Sequence, residues 1–287
     1  MPSKAMQLSR RAWLAAMASV PAWAGAGGVD LGIQSFSFKA LPFDAMLDAC
    51  EQAGSKSIEL FSGHIEQGWD QRSTTAGRKR LRDWRVREGE AYCREIRVAL
   101  ERRGFHLNAF NLTIRDGHSD EEIDSTFRMT RALGTDLLTS SSNVSSAPRI
   151  APFAKQHRTR VAFHNHAVVK PDEFARPEDF ERAMEAEPHW FGVNLDTGHF
   201  HAAGFDCLAF LEKHGERVFA LHMKDRKADN GPKLPFGMGG TPLGEIVRLV
   251  QERNWQMPAN IEMAYPTDDP VREVRESLAF LRNALAG

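Results

Sequence analysis

Hydrophobic residues recur along the chain in short runs that alternate with longer amphipathic stretches. The runs are typical of buried strands, whereas the stretches between them repeat their apolar positions with the period of a helix. Runs of the strand type begin at or close to Leu31, Ser57, Phe105, Leu137, Val161, Phe191, Val218 and Ala259. Strand–helix pairs at this spacing, joined by right-handed crossovers, predict an α/β fold, a (β/α)8 TIM barrel. The alternative is an open doubly wound sheet, but no GxGxxG motif follows the first run to support a dinucleotide-binding form.

Capping residues predict where individual helices begin and end. Asp44 is expected to be the N-cap of the first helix, and Gly54 is expected to end that helix. The segment Ser119–Glu122 has the pattern of a capping box at the start of the third helix. These signals agree with the spacing of the strand-type runs.

The segment Ser62–Leu81 is rich in polar residues and is expected to be a long connection before a second helix that starts at about Asp83. Connections of this length are often functional, so this one would act as a lid over the barrel mouth or as a subunit contact. The main expectation, however, is a solvated loop without such a role. Under the lid interpretation, the candidates for substrate contact are Gln67, Trp69 and Arg72.

The N-terminal segment differs in kind from the rest of the chain. Arg10 and Arg11 precede the apolar stretch Ala15–Val20, and cleavage options of the Ala-x-Ala type follow. This anatomy indicates a twin-arginine export signal over residues 1–28, a single catalytic domain over residues 29–287 and a periplasmic location. A basic, alanine-rich leading helix in a cytosolic protein is the alternative.

Composition and charge argue against several classes of partner. The formal net charge of the 287 residues is −1, which gives no electrostatic case for nucleic acid or an anionic membrane surface. No segment after the leader is apolar enough to span a bilayer. The cysteines Cys50, Cys93 and Cys207 are scattered and form no CxxC spacing, so they are interpreted as neutral thiols.

Polar residues near the carboxyl ends of the predicted strands indicate a metal site. Successive side chains in a strand point to opposite faces, and this period places a set of ionisable residues inside the barrel. The set is Glu59, His164, His166, Asp196, His222, Lys224 and Glu262. Burying these groups without partners would be costly, and a bound divalent cation would offset the cost. Carboxylates together with imidazoles suit Mn, Fe, Co, Zn or Mg.

Each of these residues also has a structural interpretation when it is taken alone. A glutamate at a strand end commonly forms a salt bridge, and Asp196 would form no more than an Asx turn with the residues after it. Lys224 would sit in a surface ion pair, or alternatively act as a Schiff-base lysine. The occurrence of ligand-type residues at the same height in the fifth to eighth strands favours the metal site.

The motifs, in this order, resemble those of the sugar phosphate isomerase/epimerase family of xylose isomerase-like TIM barrels. The resemblance covers the chain after the leader. It rests on Leu31–Gln34, Ile58–Leu60, Asp196–His199, His222–Asp225, Gly237–Gly239 and Ile261–Glu262.

The resemblance implies one divalent cation held by side chains from strands five to eight. Asp196, His222 and Glu262 match ligand positions of the family, and His199 matches a residue that contacts substrate hydroxyls. At strand five the family has a glutamate, often within Glu-Asn-His, whereas this chain has the segment His164–His166. That departure resembles a second branch of the family with diverse chemistry.

The resemblance leaves open which histidine of the strand-five segment, His164 or His166, would face the metal. His164 is taken as the fourth ligand, and Glu59, His166, His199 and Lys224 are taken as substrate-binding residues. Epimerases of this family use the glutamates of strands five and eight as acid and base on opposite faces of an enediolate, while the metal polarises the substrate. Here Glu262 and His164 would share that work, and an imidazole with an ordinary pKa near 6.5 is a reasonable base at neutral pH.

Three functions fit these features. The first is an exported, metal-dependent sugar or keto-sugar isomerase or epimerase that removes a proton next to a carbonyl. The second is a lyase or hydratase acting by β-elimination on 3-keto-glycosides at the same metal site, which export favours because sugar phosphates are scarce outside the cytoplasm. The third is a sugar-binding barrel without turnover.

The expected partner is a small carbohydrate, with no nucleic acid, no membrane after leader cleavage, and homo-oligomerisation left open. Relatives in the endonuclease IV branch cut DNA with three zinc ions. This chain lacks the basic charge balance that DNA binding requires.

Overall fold

The computed structural model describes residues 28–66 and 71–287, and a closed barrel of eight parallel strands forms its centre. The barrel strands are β1 (Leu31–Gln34), β2 (Ser57–Phe61), β3 (His106–Asn111), β4 (Leu137–Ser140), β5 (Arg160–His164), β6 (Phe191–Asp196), β7 (Val218–Met223) and β10 (Ala259–Ile261). Pairing of β1 with both β2 and β10 closes the barrel. The predicted TIM barrel is therefore confirmed.

Helices follow the strands and cover the outside of the barrel. They are α1 (Phe43–Ala53), α2 (Thr75–Trp84), α3 (Glu90–Arg102), α4 (Asp120–Ala132), α5 (Ala147–His157), α6 (Pro177–Ala186), α7 (Thr197–Ala202), α8 (Cys207–His214), α9 (Leu243–Glu252) and α10 (Pro270–Ala286). Two further strands, β8 (Asp225–Arg226) and β9 (Lys233–Leu234), pair antiparallel and form a hairpin after β7. This hairpin follows the carboxyl-terminal end of β7, which is the end where such barrels carry their active sites.

The apolar face of each strand packs against the helices. Ile58, Val193 and Leu221, for example, are fully buried within one continuous hydrophobic core. Burial of aliphatic side chains of this kind stabilises the fold by roughly 1.5–3 kcal/mol per residue. The other face of the strands points into the barrel, where the sequence places polar residues.

The interior of the barrel is crowded and polar around β1 and β10. The amides of Asn108 and Asn260 bond to each other at 2.8 Å, and Asn260 also donates to Glu59 at 2.9 Å. A side chain at Gly32 would place its Cβ 2.1 Å from the Asn260 amide oxygen, so only glycine fits there. Polar contacts therefore fill the space that aliphatic layers commonly fill in such barrels.

The structure corrects two expectations for the first βα unit. The strand-type run at Leu31 ends at Gln34, and Ser35–Phe38 form a 3-10 turn, because the Gln34 side chain accepts a hydrogen bond from the Phe36 backbone at 2.9 Å. Asp44 does not cap α1, which already begins at Phe43; Asp44 lies in the first turn. There it favours the helix through its charge.

The structure also corrects the expected loop from Ser62 to Leu81. A 3-10 turn follows β2, and α2 begins at Thr75, capped by the Thr74 hydroxyl on the Gly77 backbone at 2.9 Å. A π-helical turn, Arg85–Gly89, then joins α2 to α3. Arg72 is exposed, whereas Gln67, Trp69 and the predicted leader up to residue 27 lie outside the described residues.

Two sequence predictions are confirmed in detail. Ser119 and Glu122 form the capping box of α4, with both reciprocal hydrogen bonds present. The cysteines Cys50, Cys93 and Cys207 are buried and free. Burial raises the pKa of the Cys207 thiol above its ordinary range, which agrees with neutral thiols.

Candidate metal centre

The side chains of His164, Asp196, His222 and Glu262 meet at the carboxyl-terminal end of the barrel. One candidate ligand atom from each lies within 4.8 Å of the others. Strand register explains the meeting, because Asp196 pairs with His222 across β6 and β7, and β5 ends beside them at His164. Glu262 follows β10 directly. These four residues form a cluster that can hold a metal ion, as the strand-end pattern predicts.

His222 lies between two carboxylates. Its Nε2 is 2.8 Å from Glu59, and its Nδ1 is 2.9 Å from Glu262. Burial alone would lower the pKa of His222, but the charges of Glu59 and Glu262 outweigh burial and raise it to about 10. Among the described residues, Nδ1 is buried and makes no hydrogen bond of acceptable geometry.

Asp196 divides its two carboxylate oxygens between structure and site. Oδ1 accepts the His199 backbone N–H at 2.7 Å and caps α7, so the turn interpretation is also correct. Oδ2 faces Lys224 at 2.5 Å and His164 at 3.4 Å. Burial would raise the pKa of Asp196, but the neighbouring His199, Lys224 and His164 side chains hold it well below its usual range.

Lys224 is buried in the site and is 2% exposed, which contradicts the expected surface ion pair. Its ammonium donates to Asp196 at 2.5 Å and to Glu262 at 3.0 Å. Burial would lower the pKa of Lys224, but these two carboxylates outweigh it and raise that pKa. The ammonium thus bridges the two carboxylates of the cluster.

His199 and His166 border the cluster without joining it. His199 Nδ1 lies 2.7 Å from Arg226, and burial lowers the pKa of His199 to about 2 despite the Asp196 carboxylate. His199 is therefore neutral, with Nδ1 accepting from Arg226. His166 Nδ1 lies 3.6 Å from Glu173, and burial lowers the pKa of His166 to about 4.

Glu59 lies beneath His222 and is fully buried. Its carboxylate accepts hydrogen bonds from Gln34 at 3.0 Å and from the Thr139 hydroxyl, in addition to the contacts with Asn260 and His222. Its oxygens are thereby occupied by protein groups. This placement separates Glu59 from the barrel mouth, where a substrate would enter.

The site contains two residues that the sequence interpretation missed. Arg226 fixes the His199 ring, and Asp225 accepts backbone N–H groups of Gly237, Gly239, Gly240 and Thr241 at 2.8–3.1 Å. A Cβ at Gly239 would lie 1.9 Å from the Asp225 carboxylate. The Gly237–Gly239 segment thus wraps the Asp225 carboxylate. An aspartate just after a strand, followed by a Gly-x-Gly segment, is the sequence signal that could have indicated this role of Asp225.

The donor set fits a divalent cation. His222 Nδ1 faces the Glu262 carboxylate at 2.9 Å, and the raised pKa of His222 places a proton between them that a metal ion would replace. Glu59, Asp196 and Glu262 carry three negative charges, and Lys224 carries one positive charge. His222 carries a second positive charge while it is protonated, and a divalent cation that replaces this proton would bring the group to neutrality.

The chain belongs to the xylose isomerase-like TIM barrel family, whose pattern matches residues 47–284. An inosose dehydratase from Salmonella agona is 31% identical over 77 residues, which span 26% of this chain and 25% of the relative. The match thus covers only about a quarter of that relative's length.

Solved structures share the fold at low identity. The probable 3-DHS dehydratase AsbF from Bacillus anthracis, involved in petrobactin synthesis, has a TM-score of 0.67 at 15% identity, over 89% of this chain and 99% of that one. The 3-keto-D-glucoside 4-epimerase YcjR from E. coli has a TM-score of 0.64 at 12% identity, over 89% and 99%. Similar barrels thus occur in a probable dehydratase and in an epimerase. This chain has the fold of an enzyme family.

Within residues 28–66 and 71–287, no helix is both long and apolar enough to cross a membrane.

Proposed function

We propose that this protein is a divalent-metal-dependent enzyme that removes the proton next to the carbonyl of a sugar or keto-sugar, as an isomerase or epimerase. The observation that carries the proposal is the meeting of four ligand-type side chains at the barrel end, where one ligand atom of each lies within 4.8 Å of the others. His164, Asp196, His222 and Glu262 would hold the metal. Bound there, a metal such as Mn, Co, Mg, Fe or Zn would polarise a substrate carbonyl and lower the barrier to enolisation.

The protein's own residues would then move and stabilise protons. Glu262 has 12% of its side chain exposed and is the carboxylate best placed to accept a substrate proton. Burial would raise the pKa of Glu262, but the charges of Lys224 and His222 outweigh burial and keep it well below its usual range. His164 would return a proton, and His199 and His166 would orient substrate hydroxyls.

A dehydratase is the second candidate, and two observations favour it. The catalytic pair would combine a carboxylate with an imidazole, and such an unsymmetrical pair suits elimination as well as epimerisation. The similarity to an inosose dehydratase and to a probable 3-DHS dehydratase supports the same alternative.

The test uses mature protein that has never been exposed to chelators. Bound transition metals are quantified, and the protein is incubated in D2O with keto-sugars and 3-keto-glycosides while NMR follows the products. About one metal per chain, with deuterium at the carbon next to a carbonyl, is expected. An epimer or isomer then supports the first candidate, and an enone or a released aglycone supports the second.

The matched variants are Asp196→Ala and His222→Ala, which should lose metal and exchange together. Sugar binding without metal-dependent exchange in the unmodified protein would instead identify a binding barrel without turnover. Absence of metal, with unchanged stability in both variants, would overturn the proposed site.

We also propose that the protein is exported by the twin-arginine route, on the basis of Arg10 and Arg11. Fractionation of cells expressing the full chain is expected to place the processed protein in the periplasm. Replacing both arginines by lysine should leave the unprocessed form in the cytoplasm. Cytoplasmic retention of the unmodified chain would contradict the proposal.

A further inference from the structure

The hairpin formed by β8 and β9 carries two cations, Arg226 and Lys233, that form no ion pair with a carboxylate among residues 28–66 and 71–287. Arg226 and Lys233 are paired across the two strands, and residues directly opposite in an antiparallel pair project to the same side. Arg226 reaches His199 Nδ1 at 2.7 Å on that side. Lys233 therefore projects toward the metal cluster as well. Arg226 and Lys233 are called the hairpin cations below.

The partners of Arg226 are all neutral. Its guanidinium donates to the backbone oxygens of Gly231 at 2.7 Å and Asn230 at 3.2 Å, and to the His199 ring. Within the described part of the chain it lies in no ion pair. These contacts hold the guanidinium in a fixed position, and the Asp196 carboxylate acts on its charge only from a distance.

Lys233 is half-buried, and its ammonium has neither a hydrogen bond nor an ion pair among residues 28–66 and 71–287. Burial lowers the pKa of Lys233, and the positive charge of Lys224 lowers it further, while Glu262 and Asp196 act in the opposite direction. Asp196 and Glu262 are already paired with Lys224 at 2.5 and 3.0 Å. The half-exposed ammonium of Lys233 is therefore free to contact an anionic ligand.

We propose that the hairpin cations bind an anionic substituent of the substrate, a carboxylate or a phosphate ester, and that Lys233 selects anionic sugars over neutral ones. This inference rests on the proposed function, because it names the substrate class of the same site. Arg226 has its donors largely committed, so Lys233 supplies the free donors and is the residue that determines specificity.

The test measures binding to the metal-loaded protein by calorimetry at fixed ionic strength. The probes are gluconate, glucose 6-phosphate and glucose, which present a carboxylate, a phosphate ester and no charge. Gluconate or glucose 6-phosphate is expected to bind more tightly than glucose. The Lys233→Met variant is expected to bind the preferred anion about tenfold to a hundredfold more weakly, as for the loss of a hydrogen bond to a charged group.

Two matched variants separate a specific contact from general effects. Lys227→Met removes an exposed ammonium from the same hairpin and should change the affinity less than twofold. Within the described part of the chain, this ammonium donates only to the Gly239 backbone, at 3.3 Å. Lys233→Arg keeps the charge and should restore most of the affinity, which a purely structural role of Lys233 would not predict. The anion whose affinity responds to Lys233→Met identifies the substituent.

Equal affinity for all three probes, or an unchanged anion affinity in Lys233→Met, would overturn the inference. Binding is measured without turnover, so this result is distinct from failure of the proposed function. Deuterium exchange on neutral sugars with no preference for anions would reject the inference alone. Lys233-dependent anion binding without any exchange would reject the proposed enzyme chemistry alone.

Discussion

The Nε2 atom of His222 lies 2.8 Å from the Glu59 carboxylate, on the side of the ring away from Glu262. A carboxylate only accepts hydrogen bonds, so this contact keeps the proton on Nε2 and turns Nδ1 toward the cluster. Glu59 is itself held by Gln34 and Asn260 inside the barrel. The orientation of a candidate ligand is thus set by a residue that lies below the site, a relationship common around metal-binding histidines.

Replacing Glu59 by glutamine should weaken metal binding, because the glutamine amide lacks the negative charge that attracts the Nε2 proton of His222. We expect the affinity to fall about tenfold to a hundredfold, measured by competition with a chromophoric chelator. Thr139→Val is the matched control, since it removes another hydrogen bond to Glu59 but leaves His222 untouched. Equal affinities in Glu59→Gln and the unmodified protein would contradict the assigned role.

Alanine variants of the two strand-five histidines should differ sharply. His164→Ala removes a member of the cluster and should lower the metal content after dialysis, with loss of exchange activity. His166→Ala should retain the metal, because the His166 ring is directed toward Glu173 at 3.6 Å. The reverse pattern would show that His166 is the ligand.

Lys224→Met should destabilise the metal-free protein, because it leaves Asp196 and Glu262 buried without their cation. Breaking a buried pair in this way costs about 3–5 kcal/mol, which denaturant unfolding can measure. Added metal should restore much of this loss and should stabilise the variant more than it stabilises the unmodified protein. The control variant Lys213→Met breaks an exposed pair with Glu181, and its unfolding free energy should fall by about 0–1 kcal/mol. Similar losses in both variants would contradict a buried cation at the site.

Asp30 should make stability depend on pH in a defined direction. It lines a cavity of about 410 Å³ at the opposite end of the barrel, and burial raises its pKa to about 6, although the Ser57 hydroxyl opposes this shift. The unfolded value is about 3.9, so the folded state binds the proton more tightly, and stability falls as pH rises from about 4 through 6.

Asp30→Asn should remove this dependence. Between about pH 4 and pH 7, the unfolding free energy of the unmodified protein should fall by on the order of 3 kcal/mol relative to that of the variant. Chemical denaturation at several pH values measures the difference, and Asp136→Asn, at an exposed pair with Arg160, serves as the control. Parallel stability curves for Asp30→Asn and the unmodified protein would refute the expectation.

Several errors in the predicted elements have a common physical cause. Helix α2 was missed because Thr75–Trp84 is dominated by charged residues, and only Leu81, Trp84 and Gly77 in it are buried. The period of apolar residues is weak in such a segment, although Thr74 offered a capping signal. The hairpin of β8 and β9 was missed because strands of two residues carry no measurable alternation.

The sequence by itself determined the barrel and most of the candidate site. Alternation along the strands is a local property, and it placed Asp196, His222 and Glu262 at strand ends without knowledge of distant contacts. Tertiary structure decided what depends on closure of the barrel and on strand register. It selected His164 rather than His166 for the cluster and buried Lys224 between two carboxylates. It also set Glu59 beneath His222, residues 163 positions apart, because contacts between distant strands arise only when the sheet closes on itself.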